Sequence, residues 1–333
     1  MACVASIINL KGGVGKTTLT MMIAEFLVFR AFKRVLLIDM DAQANLTYCM
    51  VPSNSIQQQR ESERTLYHLL QRALRNDPVS IPDFITQPPL VVSNIQRSSL
   101  VGPHYPGVLH MIVSVPDVAE LDEELVQLWE GGRPMPGGVR HCLREALEPV
   151  RNQYDYVILD CPPGLSLFSS TSLVASDIFI SPVIPEPLSL QGVDLVQKRA
   201  GELNRRHGAR VDFGGIVLNV VKHYRTTHRM TSQRLYSDEG QGTYRPFRWW
   251  IPDNERLRKL GDFDPDLYDE VSRTDQFSPK FRSIENKYGV PYTLTNPKDG
   301  PLNRGDEEGE HYRLHERLDR VVDEFQRRCG LSQ

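Results

Sequence analysis

No apolar run in this 333-residue chain approaches the roughly 18 residues a membrane-spanning helix needs, so no transmembrane segment is expected. Met1–Leu10 lacks the basic n-region of a secretory leader. Cysteine is scarce: Cys3, Cys49, Cys142, Cys161 and Cys329 are odd in number and never spaced C-x-x-C. That fits reduced cytoplasmic thiols better than a disulfide framework or a zinc site. Charge of one sign is also missing. With a formal net charge of -3 there is no global basic field, so any nucleic-acid surface must be local. What is present, 40% hydrophobic and 24% charged residues, is the composition of a globular protein. The length allows one large α/β domain or two smaller ones. We expect one, spanning 1–333.

The organising stretch is Lys11-Gly12-Gly13-Val14-Gly15-Lys16-Thr17-Thr18. The apolar run Val4–Leu10 reads as a buried strand before it. After it, Leu19, Met22, Ile23, Phe26 and Leu27 make the stripe of a helix over Lys16–Ala31. Strand, glycine loop, helix is the setting of a phosphate-binding loop. Glycines let consecutive N–H groups curl around an anion, and the helix N-terminus adds partial positive charge. Lys16 would reach the β- and γ-phosphates of ATP, and Thr17 would bind Mg²⁺ through its hydroxyl. Leu10 stands where the usual loop has its first glycine, and a second lysine, Lys11, follows.

K-G-G-x-G-K-T-T resembles the deviant Walker A motif of the ParA/MinD family of dimeric ATPases. The resemblance implies that Lys11 reaches across a dimer interface to the partner's nucleotide. It is closest to the ParA-type partition ATPases and covers about residues 2–260 and the final helix. Later segments extend it. Arg34–Asp39 is a second strand ending in Asp39-Met40-Asp41-Ala42-Gln43-Ala44-Asn45, at the rim where open α/β sheets bind ligands. It is similar to the family's D-x-D-P-Q-G-N. By that likeness Asp41 positions or activates the attacking water and Asp39 supports the metal shell, with Ala42 and Ala44 replacing proline and glycine. Tyr156–Leu159, ended by Asp160-Cys161-Pro162-Pro163-Gly164, is a Walker B arrangement whose carboxylate holds Mg²⁺. The resemblance makes it also a switch, with Gly164 approaching the γ-phosphate.

Further strands are expected at Gly107–Val115, Asp177–Ile184 and Phe213–Val221. Helices are expected at Thr65–Leu74, Glu120–Trp129 and Val193–Arg206, and a flexible glycine loop at 131–138. Pro185–Gly192 resembles the family's P-E-x-x-x-L-x-G segment near the dimer interface. Asn219, at a strand end, and Ile251-Pro252-Asp253-Asn254, similar to an I-P-x-N turn after the next strand, imply adenine contacts from Asn219, Pro252 and Asp253.

Residues 222–259 carry nine Lys or Arg against four acids, with two histidines, three tyrosines and Trp249 and Trp250 interleaved. Such a segment can grip a phosphate backbone without reading sequence. Lys222, Arg225, Arg229 and Arg234 are its candidate DNA contacts, in keeping with ParA relatives. Residues 262–310 reverse the balance, twelve acids against six bases, and read as an irregular insertion. A terminal helix over 311–328 has the stripe Leu314, Leu318, Val321, Val322 and Phe325. Its polar face is mixed in sign and no bulky aromatics anchor its end, so it is expected to pack on the sheet rather than bind a membrane.

The fold expected is α/β, a mostly parallel twisted sheet with helices on both faces. The function implied is an ATP hydrolase, slow until a partner stimulates it. It would dimerise with ATP and Mg²⁺ and drive DNA partition or intracellular positioning with a ParB-like or other adaptor. The alternative is an ATP-dependent regulatory module that binds no DNA and recognises another complex. Location would be cytoplasmic, with nucleoid association under the first reading.

Overall fold

The computed structural model describes residues 1–75, 77–88, 107–121, 139–222, 224–254, 257–258, 265–266 and 307–330. Among them six strands form one parallel sheet: β1 (Cys3–Ile7), β2 (Arg34–Asp39), β3 (Val108–Ile112), β4 (Tyr156–Asp160), β5 (Ile178–Val183) and β6 (Asp212–Leu218). Their order is β3-β2-β4-β1-β5-β6. Almost every strand residue is buried, as a sheet covered on both faces requires.

Side chains alternate between two layers. Ala5, Ile7, Leu37 and Ile158 point to one face, covered by helix α1 (Lys16–Phe29). Val4, Leu36, Val157 and Leu159 point to the other. Further helices follow in chain order: α2 (Asn45–Met50), α3 (Ser53–Glu61), α4 (Leu66–Leu74), α5 (Cys142–Leu147), α6 (Leu167–Ala175) and α7 (Pro187–His207). Then come α8 (Thr226–Leu235), α9 (Asp238–Tyr244) and α10 (Glu307–Arg328). Helices α4 to α7 lay Leu69, Leu143, Phe168 and Val196 on the second face. Leu314, Leu318, Val321, Val322 and Phe325 of α10 join the first, beside Phe26 and Tyr156. The stripe is therefore core.

Several elements depart from expectation. Helix α7 begins at Pro187, not Val193, because proline's fixed φ suits the first turn of a helix. Gly208, left-handed at φ 63°, ends it. Helix α10 begins at Glu307, so the last residues assigned to the insertion are helical. No seventh strand forms among the described residues before Ile251. Residues 247–253 run beside β6 with Phe247, Ile251 and Asp253 donating N–H bonds to its edge and to Val221. Val221 and Pro252 form an isolated bridge, and no ladder builds because the bonded Phe247 and Ile251 are four residues apart while their acceptors Ile216 and Leu218 are two apart, so 248–250 bulge out of register. The expected helix at 120–129, apart from its first two residues, the loop at 131–138 and nearly all of the 262–310 insertion lie outside the described residues.

Candidate nucleotide site

The register gathers the motifs. Ile7 at the end of β1 pairs with Asp160, and Asp39 at the end of β2 pairs with Asp160 from the other side. The loop, the D-x-D segment and the Walker B carboxylate therefore share one rim, the carboxyl edge of a parallel sheet. Gly13 and Gly15 take left-handed backbone, φ 71° and 83°, which turns the loop into helix α1.

Lys16 is buried, and among the described residues its ammonium has one hydrogen-bond partner, the Lys11 carbonyl at 3.4 Å. Burial lowers its proton affinity, and the nearby charges of Asp160, Cys161 and Asp41 work against that. A buried cation with one weak partner, at a helix N-terminus, is a cradle for an anion. Thr17 Oγ1 donates to Asp160 Oδ2 at 2.7 Å, and Thr20 Oγ1 donates to Oδ1 at 3.1 Å. Burial pushes the Asp160 carboxyl up, and it pushes Asp39 up further because Asp160 lies beside it. Two desolvated carboxylates with a threonine hydroxyl are hard oxygen donors that fit Mg²⁺. A bound cation would relieve their repulsion. Among the described residues no three His, Cys, Asp or Glu side chains converge.

Asp39 and Asp41 have different surroundings. Asp39 is fully buried, with Oδ1 taken by the Asp41 N–H and Oδ2 by the N–H and hydroxyl of Thr47. It braces the segment from behind. Asp41 is half-exposed, and among the described residues its Oδ1 accepts one bond, from the Gln43 N–H at 3.0 Å. Ala44, where the family pattern has glycine, is left-handed at φ 53° and buried. That strain belongs to a segment Ser114 also ties down, through its hydroxyl to the Asp41 carbonyl. Gly164 is left-handed too, at φ 94°.

Of the expected adenine residues, Asn219 touches the loop, whereas Pro252 bridges Val221 at the edge beyond β6. Asn219 donates from Nδ2 to the Val14 carbonyl at 2.9 Å, and its Oδ1 accepts the Val220 N–H. It is a strut for the loop, beside a strained Val220 at φ 53°. Asp253 pairs with Lys222 at 3.1 Å and with Arg258 at 2.6 Å. Burial pushes its carboxyl up, but these two partners outweigh it and hold it low.

Of the four expected DNA contacts, Lys222 is thus ion-paired and Arg225 faces Glu186 at 4.0 Å. Arg229 and Arg234 on α8 are exposed. Most described aromatics of the segment are committed inward. Phe247 is core, Tyr236 bonds the Phe247 carbonyl, and Trp249 and Trp250 lie under Arg320 and Arg317. Only Tyr224 stands far out, 80% exposed.

Sequence reading missed three residues. Asn9, a lone polar residue in an apolar run, is fully buried; it donates to the Pro182 and Ser189 carbonyls and accepts the Lys11 N–H. Thr20 sits one turn after Thr17, a spacing that could have revealed it. Glu186, inside a segment that was noticed, pairs with Lys11 Nζ at 2.8 Å.

Residues 2–212 match the family model described as an AAA domain. The sporulation initiation inhibitor protein Soj of Bacillus subtilis is 32% identical over 238 residues, 67% of this chain and 80% of Soj. The chain belongs to the ParA/MinD family of ATPases. An uncharacterised Pseudomonas putida protein is 30% identical over 82% of this chain and 90% of its own length. Among solved structures, apo McdA of Cyanothece superposes with a TM-score of 0.60 at 20% identity, covering 88% of this chain and 100% of McdA. Cobyrinic acid a,c-diamide synthase of Mycobacterium smegmatis, solved with ADP and magnesium, gives 0.58 at 20% identity, covering 82% and 94%. These likenesses establish the P-loop α/β fold, and the family is one of nucleotide-binding ATPases. No helix among the described residues is long and apolar enough to cross a membrane.

Proposed function

We propose that this ParA-type ATPase cycles between a monomer and an ATP-bound homodimer, and that the cycle drives DNA partition or intracellular positioning with a ParB-like or other adaptor. The observation that carries this reading is the division of labour between two lysines of one loop. Lys16 is buried at the cradle, whereas the half-buried Lys11 ammonium is held by Glu186 on another element. A lysine so placed is available to a second subunit.

In this mechanism the loop N–H groups from Gly12 to Thr18 and the Lys16 ammonium hold the triphosphate. Thr17 and Asp160, with Asp39 behind them, would hold Mg²⁺, which supplies charge neutralisation of the β- and γ-oxygens. Lys11 from the partner subunit stabilises the charge that develops on the transferred phosphoryl group. Groups of this kind donated across an interface are worth on the order of 10³-fold or more in rate. Asp41 has an oxygen free to orient the attacking water and takes part in its deprotonation. Loss of the γ-phosphate releases Asp41 and Gly164, the two switch positions, and the dimer parts. The output is a timed change in assembly and surface affinity. Turnover is slow until the adaptor engages.

Asn219, Pro252 and Asp253 bound the adenine side of the site, and Arg229 and Arg234 lead the DNA surface at the nucleoid. One observation favours the alternative, a regulatory module without DNA. Lys222 and the described aromatics other than Tyr224 are already engaged within the chain, which thins the basic surface. An ATP-dependent, salt-sensitive shift of plasmid DNA supports the first reading. ATP-dependent dimers with no shift at any salt support the second.

A further inference from the structure

Glu186 stands at the N-cap of α7, yet its carboxylate accepts no bond from that helix's N–H groups. It is spent on side chains from two distant parts of the chain. Oε2 holds Lys11 Nζ at 2.8 Å. Oε1 faces His228 Nε2 at 3.6 Å and an Arg225 guanidinium nitrogen at 4.0 Å. His228 is 1% exposed, and its Nδ1 accepts the Lys222 N–H at 3.1 Å. A neutral ring with Nδ1 accepting carries its proton on Nε2. That proton has no hydrogen-bond partner, and Glu186 is the acceptor in front of it. The Lys11 pair holds the Glu186 carboxyl below its ordinary range, first through their hydrogen bond.

We infer that Glu186 is a positioning residue that couples nucleotide occupancy to the basic helix α8. In the resting subunit it holds Lys11 back. When Lys11 leaves for the opposite triphosphate, the carboxylate loses its nearest partner and closes on His228 and Arg225. A movement of well under 1 Å converts the His228 contact into a hydrogen bond. Arg225 and the first turn of α8 are drawn with it, which changes how Arg229 is presented. The inference rests on the dimer reading above and adds to it a route from the phosphate site to the candidate DNA face.

Hydrogen exchange separates the two ideas. AMP-PNP and Mg²⁺ are added to the wild-type chain, to Glu186→Gln and to Arg225→Gln, and exchange is followed over 11–18 and 222–235. In the wild type both stretches slow, the second by at least about two-fold. In Glu186→Gln the loop is still protected, but the response at 222–235 disappears, and in Arg225→Gln it is reduced. Glu186→Gln also frees Lys11, so half-maximal dimerisation needs about two- to five-fold less nucleotide, the span available to an ion pair this exposed. An equal response at 222–235 in the wild type and Glu186→Gln overturns the coupling, as does a wild type whose loop is protected while 222–235 stays unchanged. Absence of loop protection in the wild type refutes the nucleotide reading itself, and the coupling falls with it.

Discussion

The rim over β1, β2 and β4 and the rim beyond β6 use polar residues in opposite ways. On the first, polar side chains are buried or half-buried and bonded to one another: Thr17 and Thr20 on Asp160, Thr47 on Asp39, Asn9 on the Lys11 N–H. Burial without a partner is costly, so these groups hold a single geometry. On the second, arginines of α8 stand in solvent, and the segment after α9 is shaped by the distant helix α10. The Arg328 guanidinium there donates to the carbonyls of Gly214, Arg245 and Pro246 and stacks on Phe247. The first rim is built for positioning, as chemistry demands. The second leaves Arg229 and Arg234 exposed, so any polyanion held there would be held by charge that salt screens.

The contrast can be broken by substitution, from the largest effect down. Asp41→Ala should leave ATP binding intact and lower hydrolysis by about 10² to 10⁴-fold, the range for a lost general base, so that dimers accumulate. Phosphate-release assays check it, and normal turnover would remove Asp41 from the mechanism. Lys16→Ala should weaken ATP binding by about 10 to 100-fold, the worth of a lost charge-assisted bond, as read by calorimetry. Gly15→Ala places a side chain at φ 83° and drives its Cβ into Asn219 Nδ2. A loss of about 2 kcal/mol in thermal unfolding is expected, and an unchanged midpoint would mean the loop is not held as described. On the other rim, Arg229→Ala and Arg234→Ala should each lower the salt slope of DNA binding by about 1. Lys222→Ala should move it less, because Asp253 already holds that charge. Equal slopes for all three would erase the distinction between the rims.

This difference also explains what the sequence could reveal. The loop, Asp41 and Asp160 follow apolar strands directly, so a contiguous stretch encodes both residue and setting. The parallel sheet follows from strands such as Val35–Ile38 and Val157–Leu159 alternating with helical stripes. Contacts between remote segments left no local signal. Nothing near Lys11 announces Glu186, and nothing near Lys222 announces Asp253. Net charge over 222–259 counted Lys222 as available, whereas folding pairs it. The strand expected before Ile251 was lost to a mismatch of spacing, four residues from Phe247 to Ile251 against two from Ile216 to Leu218, which only the fold reveals.

Sedimentation velocity of the Asp41→Ala protein, with ATP and Mg²⁺ and with or without Lys11→Ala, addresses the whole account. The prediction is a dimer with ATP, a monomer without it, and a monomer throughout once Lys11 is removed. A protein that stays monomeric with saturating ATP, or that pairs equally well without Lys11, would contradict it.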